Sequence, residues 1–310
     1  MTGLDVQGLI DDRKRGCLYG LAIGDALGAT VEHRRPGSFP AVRGDAASQP
    51  ASGEWTDDTA MAIALADSLA SHDWDIHDQM QRYLDWWRNG KYALHGKCEK
   101  ISNTMSSALF HFEQHGDATA AGEHANSPES NGSIARLAPV AIRFCGPPLD
   151  FETLAQYGAA SSRPTHASEQ CLSACRYFAC ILAGLLTGES RDDILSPEWP
   201  PTARLLNDHE FHPAVATVAL GSFRTLRPPE IQASYYSGKC LEAALWAFHQ
   251  ADSFLGAVAS AVNLGHDANT AGAVCGQLAG AYWGFQGIPN QSIDCLMGKE
   301  LLEYAISGLV

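Results

Sequence analysis

Gly16-Cys17-Leu18-Tyr19-Gly20-Leu21-Ala22-Ile23-Gly24-Asp25-Ala26-Leu27-Gly28 carries glycine at every fourth position. On a helix that period puts all four glycines on one face, although each costs about 1 kcal/mol relative to alanine in a helix interior. Close approach of another backbone is the usual compensation. Leu18, Leu21, Ala22, Ile23 and Leu27 fill the gaps, which fits a run of loops poorly. The same stripe returns near the other end of the chain, at Gly272, Gly276, Gly280 and Gly284. Two such helices are expected in the core, with backbones unusually close to their neighbours. No alternating Val/Ile/Thr segments bounded by turns are present to build a sheet. The expected fold is therefore all-α, a compact multi-helix bundle. No linker separates the N-terminal acidic stretch from the C-terminal one, so a single domain over residues 1–310 is expected.

The chain has 310 residues, 45% of them hydrophobic, enough to bury a sizeable core without disulfides or a structural metal. Its nine cysteines are odd in number, include no C-x-x-C pair and mostly fall in apolar runs, as reduced core thiols do. Residues Met1 to Gly16 lack an apolar signal-like region, and no run of about 18 apolar residues occurs. A cytoplasmic protein without membrane partners is the expectation. The net charge of −14, from 21 basic and 35 acidic residues, repels a nucleic-acid backbone. A small anionic ligand remains compatible where local cations or backbone N–H groups hold it.

Gly53-Glu54-Trp55-Thr56-Asp57-Asp58-Thr59 runs into Ala60–Ala66, seven uncharged residues. This predicts a helix buried on all sides, with Thr56 as N-cap and the two aspartates in its first turn. Acidic residues suit a helix N-terminus, where the macrodipole is worth roughly 0.3–1 kcal/mol to each. Two adjacent aspartates framed by threonines nevertheless offer more oxygen than a cap needs, and Mg²⁺ or Mn²⁺ takes all-oxygen ligands. A second oxygen-rich cluster, Asp267-Ala268-Asn269-Thr270, opens the second glycine-striped helix. Each is an indifferent cap alone; together they resemble the halves of a dinuclear site.

Between these clusters, His33 to Gly53 reads as a long loop placed as a lid, with Asp25 and Glu32 just before it. Helical spacing predicts helices over Met80–Asn89, with Tyr83, Trp86 and Trp87 inward, and over Ile101–His115, begun by Ser102 or Asn103. The turn-rich segment Gly116–Gly132 leads through Asn131-Gly132-Ser133 into apolar Ile134–Pro139, a turn able to show backbone N–H groups to a phosphate. Arg163-Pro164-Thr165-His166 precedes a strong helix over Ser168–Thr187. Gly188–Pro213, with its prolines, predicts a loop with short turns, and Lys239–Gln250 and Ser253–Leu264 predict two further helices.

In combination and order, GDALGATVE (Gly24 to Glu32), WTDDT (Trp55 to Thr59) and NLGHDANTAGAVCGQLAGAYWG (Asn263 to Gly284) resemble the ADP-ribosylglycohydrolase family. Asn103-Thr104, Asn131 to Arg136 and Thr165-His166 support the match. The family's founding bacterial member reactivates dinitrogenase reductase by removing ADP-ribose from an arginine. The resemblance implies a hydrolase that cleaves ADP-ribose from a modified protein or small-molecule acceptor, with protein arginine as the foremost acceptor. It also implies two Mg²⁺ or Mn²⁺ ions held by Thr56, Asp57, Asp58, Asp267, position 269 and Thr270. Glu32 is then the mobile carboxylate that assists water or leaving-group chemistry, beside Asp57 and Asp267. Asn131, Gly132, Ser133 and Arg136 bound the diphosphate, while Asn103, His166 and Gly265 line the cleft.

One position departs from the family pattern. Where Asp-x-Asp-Thr is expected this chain has Asp267-Ala268-Asn269-Thr270. An amide supplies one neutral oxygen in place of a carboxylate expected to touch both ions, so the second ion is expected to bind weakly. That leaves two other classes open: an ADP-ribose-binding protein that has lost the chemistry, and an immunity protein acting against an ADP-ribosylating toxin.

Overall fold

The computed structural model describes residues 3–43, 53–124, 129–208 and 211–310. Apart from one isolated bridge between Ser130 and Tyr236, the regular elements among the described residues are all helical.

The N-terminal helix, Gly3–Ala29, lies antiparallel against Ala268–Trp283, and these two make the most extensive helix pair among the described residues. Their stripes interlock. A methyl group on Gly16 would overlap the carbonyl oxygen of Gly280, one on Gly20 that of Gly276, one on Gly24 that of Gly272, and one on Gly28 that of Ala268. The reverse overlaps hold from Gly272, Gly276 and Gly280, whereas Gly284 lies against the Asp12 carboxylate. The entropic cost of glycine is thus offset by backbone-to-backbone packing that no larger residue permits.

Around this pair the remaining helices share one continuous apolar core. Asp57–His72 is buried along most of its length, as its uncharged run predicts. In Ile76–Asn89, Met80, Tyr83 and Trp86 are buried, while Trp87 is only half-buried, with the Arg88 guanidinium over its ring. Asn103–His115 starts with Ser102 as cap, its side chain accepting from the Met105 N–H. Glu169–Thr187 is long and apolar enough to cross a membrane by length and composition, yet 89% of that window is buried inside the fold. Ser237–His249 and Phe254–Val262 complete the shell behind Ala268–Trp283.

Two departures from expectation have plain causes. The proline-rich stretch after Gly188 is not a loop but holds the short helices Arg191–Ile194 and Pro200–Leu206, followed by Pro213–Ala219. Pro200, Pro201 and Pro213 sit in the first turns, where the missing N–H has no partner to lose. Phe151–Ser162, capped by Asp150, is a helix that the sequence reading passed over. As for the expected lid, residues 44–52 lie outside the described residues. The described part is tied down: Asn263 exchanges two hydrogen bonds with the Val42 backbone, both 2.8 Å.

Candidate active site

The glycine-interlocked pair brings its chemistry to one end. Asp25 follows Gly24 on the first helix, and Gly28 packs on Ala268, the first residue after Asp267. Asp25 is fully buried and its carboxylate accepts four hydrogen bonds: from the Thr56 N–H and hydroxyl, both 2.8 Å, and from the Thr59 N–H at 3.1 Å and hydroxyl at 2.7 Å. Thr56 does occupy the N-cap position, but its hydroxyl caps nothing. Because that hydroxyl donates to Asp25, its lone pairs face away from it. The simple capping role is thereby set aside for this residue.

The second cluster meets the first. The Asn269 amide nitrogen lies 3.3 Å from Thr56 Oγ1 and 3.4 Å from Asp58 Oδ2, while its oxygen, in a side chain 3% exposed, has no partner. Thr270 donates to Asp267 at 3.4 Å, and Asn131 donates to the other oxygen of Asp267 and to the Ser234 carbonyl. Two backbone hydrogen bonds, His33 N–H to His266 O at 2.7 Å and His266 N–H to Arg34 O at 2.8 Å, clamp the end of the first helix onto this motif. Gly265 makes that clamp possible: at φ +63° its Cα faces the Arg34 carbonyl too closely for a side chain. Glu32 is thereby fixed at the rim, paired with the Lys100 ammonium and 3.4 Å from His33 Nε2.

The charges oppose one another strongly. Burial, and then the charges of Asp25, Asp57 and Asp267, hold the Asp58 carboxyl well above the usual carboxylate range. Burial also pushes Asp57 up, Asp25 up to about 7 against its hydrogen bonds, and Asp267 up to about 6 against the Asn131 bond. Such a cluster is costly without a compensating positive charge. Among the described residues no three His, Cys, Asp or Glu side chains form a metal cage by themselves. A cation fits only by drawing in hydroxyl and amide oxygens as well, those of Thr56, Thr270 and Asn269. The unpartnered Asn269 oxygen meets that requirement, and so does the Thr56 lone pair that the Asn269 amide leaves free. The donors are all oxygen, the set a hard divalent cation takes.

Other expected site residues lie elsewhere than foreseen. Arg136 is 1% exposed, with its guanidinium 4.5 Å above the Tyr83 ring and donating to Thr165 Oγ1 at 2.6 Å and the Ser161 carbonyl at 3.3 Å. It braces the core behind the cleft and does not reach a diphosphate. His166 is fully buried; its Nδ1 meets Thr165 Oγ1 at 2.7 Å and its Nε2 lies under Gly132. Burial, then the Arg136 charge, hold it well below the usual histidine range, so it is neutral. It backs the cleft wall without lining it. Ser133 is buried against Cys175, and Asn131 is turned to Asp267, so of the expected diphosphate cradle only Gly132 is part-exposed. Asn103 is exposed at the start of its helix. A cavity of about 220 Å³ opens beside Thr56 and Asp57, lined also by Trp55, Trp86 and Lys100. A larger groove of about 1320 Å³, along Leu149–Asp208, contains none of these residues.

Asp25 and Lys100 stand at this cleft without having been assigned to it by motif reading. Asp25 carried a signal, an acid in an otherwise apolar glycine-striped helix. Lys100 carried none.

The sequence profile of the ADP-ribosylglycohydrolase family matches residues 7–310, with both oxygen clusters inside the match. The chain belongs to the ADP-ribosylglycohydrolase family. Among curated relatives, ADP-ribosylarginine hydrolase Tri1 of Serratia proteamaculans is 34% identical over 93% of this chain and 76% of its own length. The ADP-ribosyl-[dinitrogen reductase] glycohydrolase of Rhodospirillum rubrum is 29% identical over 97% of this chain and 95% of its own. A solved structure described as an ADP-ribosylglycohydrolase-related protein complex superposes with a TM-score of 0.81 at 35% identity, covering 97% of each chain. Family membership makes this chain a hydrolase of ADP-ribosyl-acceptor bonds.

Proposed function

We propose that residues 1–310 form one catalytic domain that removes ADP-ribose from modified arginine side chains of protein, and that it works in the cytoplasm on protein or small-molecule conjugates, away from membranes and nucleic acid. The observation that carries this reading is the meeting of Asn269 with Thr56 and Asp58, which joins the two oxygen clusters at one cleft. The relatives named for ADP-ribosylarginine support the choice of acceptor.

Thr56, Asp57, Asp58, Asp267, Asn269 and Thr270 would hold Mg²⁺ or Mn²⁺, which would supply Lewis-acid polarisation of oxygen atoms. The protein's own groups do the rest. Asp25 fixes the Thr56 hydroxyl so that it presents lone pairs and no proton. Asn131 and Thr270 orient Asp267. Glu32, at the rim, is placed to move a proton between the attacking water and the departing acceptor nitrogen, as the C1–N bond breaks and the C1–O bond forms through an oxocarbenium-like state.

The test is release of free ADP-ribose from ADP-ribosyl-arginine and ADP-ribosyl-serine peptides with Mg²⁺ or Mn²⁺. Arginine-selective release supports the proposal; serine-selective release replaces the acceptor. One observation favours a second reading, an ADP-ribose-binding or toxin-neutralising protein of weak turnover: the amide at position 269, where a carboxylate is expected. Tight ADP-ribose binding with no release from either peptide selects it.

A further inference from the structure

Lys100 brings a cation to this chemistry. Its ammonium pairs with Glu32 Oε1, and its side chain lines the cavity shared with Thr56 and Asp57. Its charge also acts on Asp57 and Asp267, one from each oxygen cluster. Of the five carboxylates around the cleft, Asp25 is held by Thr56 and Thr59 and Glu32 by the Lys100 charge, while Asp267 and Asp58 accept from neutral donors alone, Asn131 and Thr270 for the first and Asn269 for the second. Asp57, Asp58 and Asp267 are left to face it. Asn269 adds a neutral oxygen, and its amide nitrogen now points at Thr56 Oγ1 and Asp58 Oδ2, where an ion drawn to that corner would place its own charge.

Three carboxylates with two hydroxyls and an amide oxygen satisfy one divalent cation. A second would find Glu32 already neutralised, a neutral group at 269, and the repulsion of the half-exposed Lys100 ammonium. We propose that this chain holds a single divalent cation, and that the Lys100 ammonium, docked on Glu32, stands as the second positive charge of the cleft. Lys100 also sets the position of Glu32, so its loss frees that carboxylate to join a second ion. The proposal rests on the reading of the cleft as a cation site.

Mn²⁺ is counted per chain by elemental analysis, and its spectrum recorded by low-temperature electron paramagnetic resonance, on the full chain. One tight Mn²⁺ with an uncoupled six-line spectrum is expected for the unmodified protein and for Lys100→Arg. Lys100→Met is expected to tighten a second Mn²⁺ at least tenfold, and Lys100→Met with Asn269→Asp to give a spin-coupled pair. Two tight, coupled ions in the unmodified protein overturn the proposal, and so does an unchanged count in Lys100→Met. Should Lys100→Met not fold, the count in the unmodified protein and in Lys100→Arg decides alone. ADP-ribose release from ADP-ribosyl-arginine, measured on the same samples, separates the two readings. Hydrolysis with two coupled ions sinks this inference and leaves the hydrolase; one tight ion without hydrolysis does the reverse.

Discussion

The carboxylate of Asp25 receives both the N–H and the hydroxyl of Thr56, each at 2.8 Å. One buried acid thereby decides which way the Thr56 hydroxyl faces. In Asp25→Asn an NH₂ group must confront one of the four donors from Thr56 and Thr59. The expected result is at least a tenfold weaker Mn²⁺ affinity by calorimetric titration, with a stability loss of about 2–3 kcal/mol from hydrogen bonds to a buried charge. An unchanged affinity would show that the Thr56 hydroxyl is not a ligand.

Asp57→Ala and Asp58→Ala are expected to abolish the rise in melting temperature that Mn²⁺ produces, since a ligand bound only by the folded state must raise it. The fold itself should persist, because removing either acid relieves repulsion among its neighbours. Were these residues merely helix-start acids, the variants would keep hydrolysis and lose a few tenths to 1 kcal/mol from the helix dipole.

Asn269→Asp restores a negative charge between Thr56 and Asp58 on one side and Asp267 on the other. Coulomb attraction at contact distance is worth several kcal/mol even at an effective dielectric near 20, so metal affinity and ADP-ribose release should both rise. Equal stoichiometry, affinity and turnover in the two forms would falsify a ligand role for position 269.

Asp267 gives a pH dependence whose sign is fixed. Its folded carboxyl is pushed up to about 6, above its ordinary 3.8, so the folded state holds the proton more tightly than the unfolded one. Its contribution therefore favours folding at low pH and is lost as pH rises from about 4 through about 6. In chelator-treated protein, Asp267→Asn should gain stability relative to the unmodified chain between pH 4 and pH 8, by at most roughly 2–3 kcal/mol. Denaturant melts at the two pH values check it; a gap that does not widen with pH contradicts the burial argument.

Gly276→Ala places a methyl group on the Gly20 carbonyl oxygen, with backbone on both sides and no flexible side chain to yield. The expected cost is about 3 kcal/mol or more, at the upper end of overpacking. Gly8→Ala, on the same N-terminal helix but with open space before it, should be neutral or slightly stabilising.

The all-helical fold was legible because its decisive contact is written as a period, glycine at every fourth residue on two helices. The oxygen clusters were legible for a similar reason: Thr56–Asp58 and Asp267–Thr270 are local and begin buried helices. What escaped depends on tertiary neighbours. Arg136 follows an Asn-Gly-Ser turn and looks like a ligand for an anion, but Tyr83, brought from a distant helix, and Thr165, from the turn after Phe151–Ser162, make it a core brace. Lys100 acquires its meaning only when Glu32 arrives beside it. The prolines after Gly188 read as breakers because a proline's effect reverses between a helix's first turn and its interior.

The pairing of Gly20 with Gly276 also fixes when this protein becomes a protein. The first helix leaves the ribosome long before its partner exists, and at typical elongation rates of about 5–20 residues per second it waits for roughly 10–50 s. Neither oxygen cluster can be set in place until nearly the whole chain has been made, so any truncation before Ala268 yields a chain without a cleft and with a groove of bare backbone exposed. Closure at such sequence separation is intrinsically slow. Nascent chains stalled upstream of Ala268 should accordingly depend on chaperones.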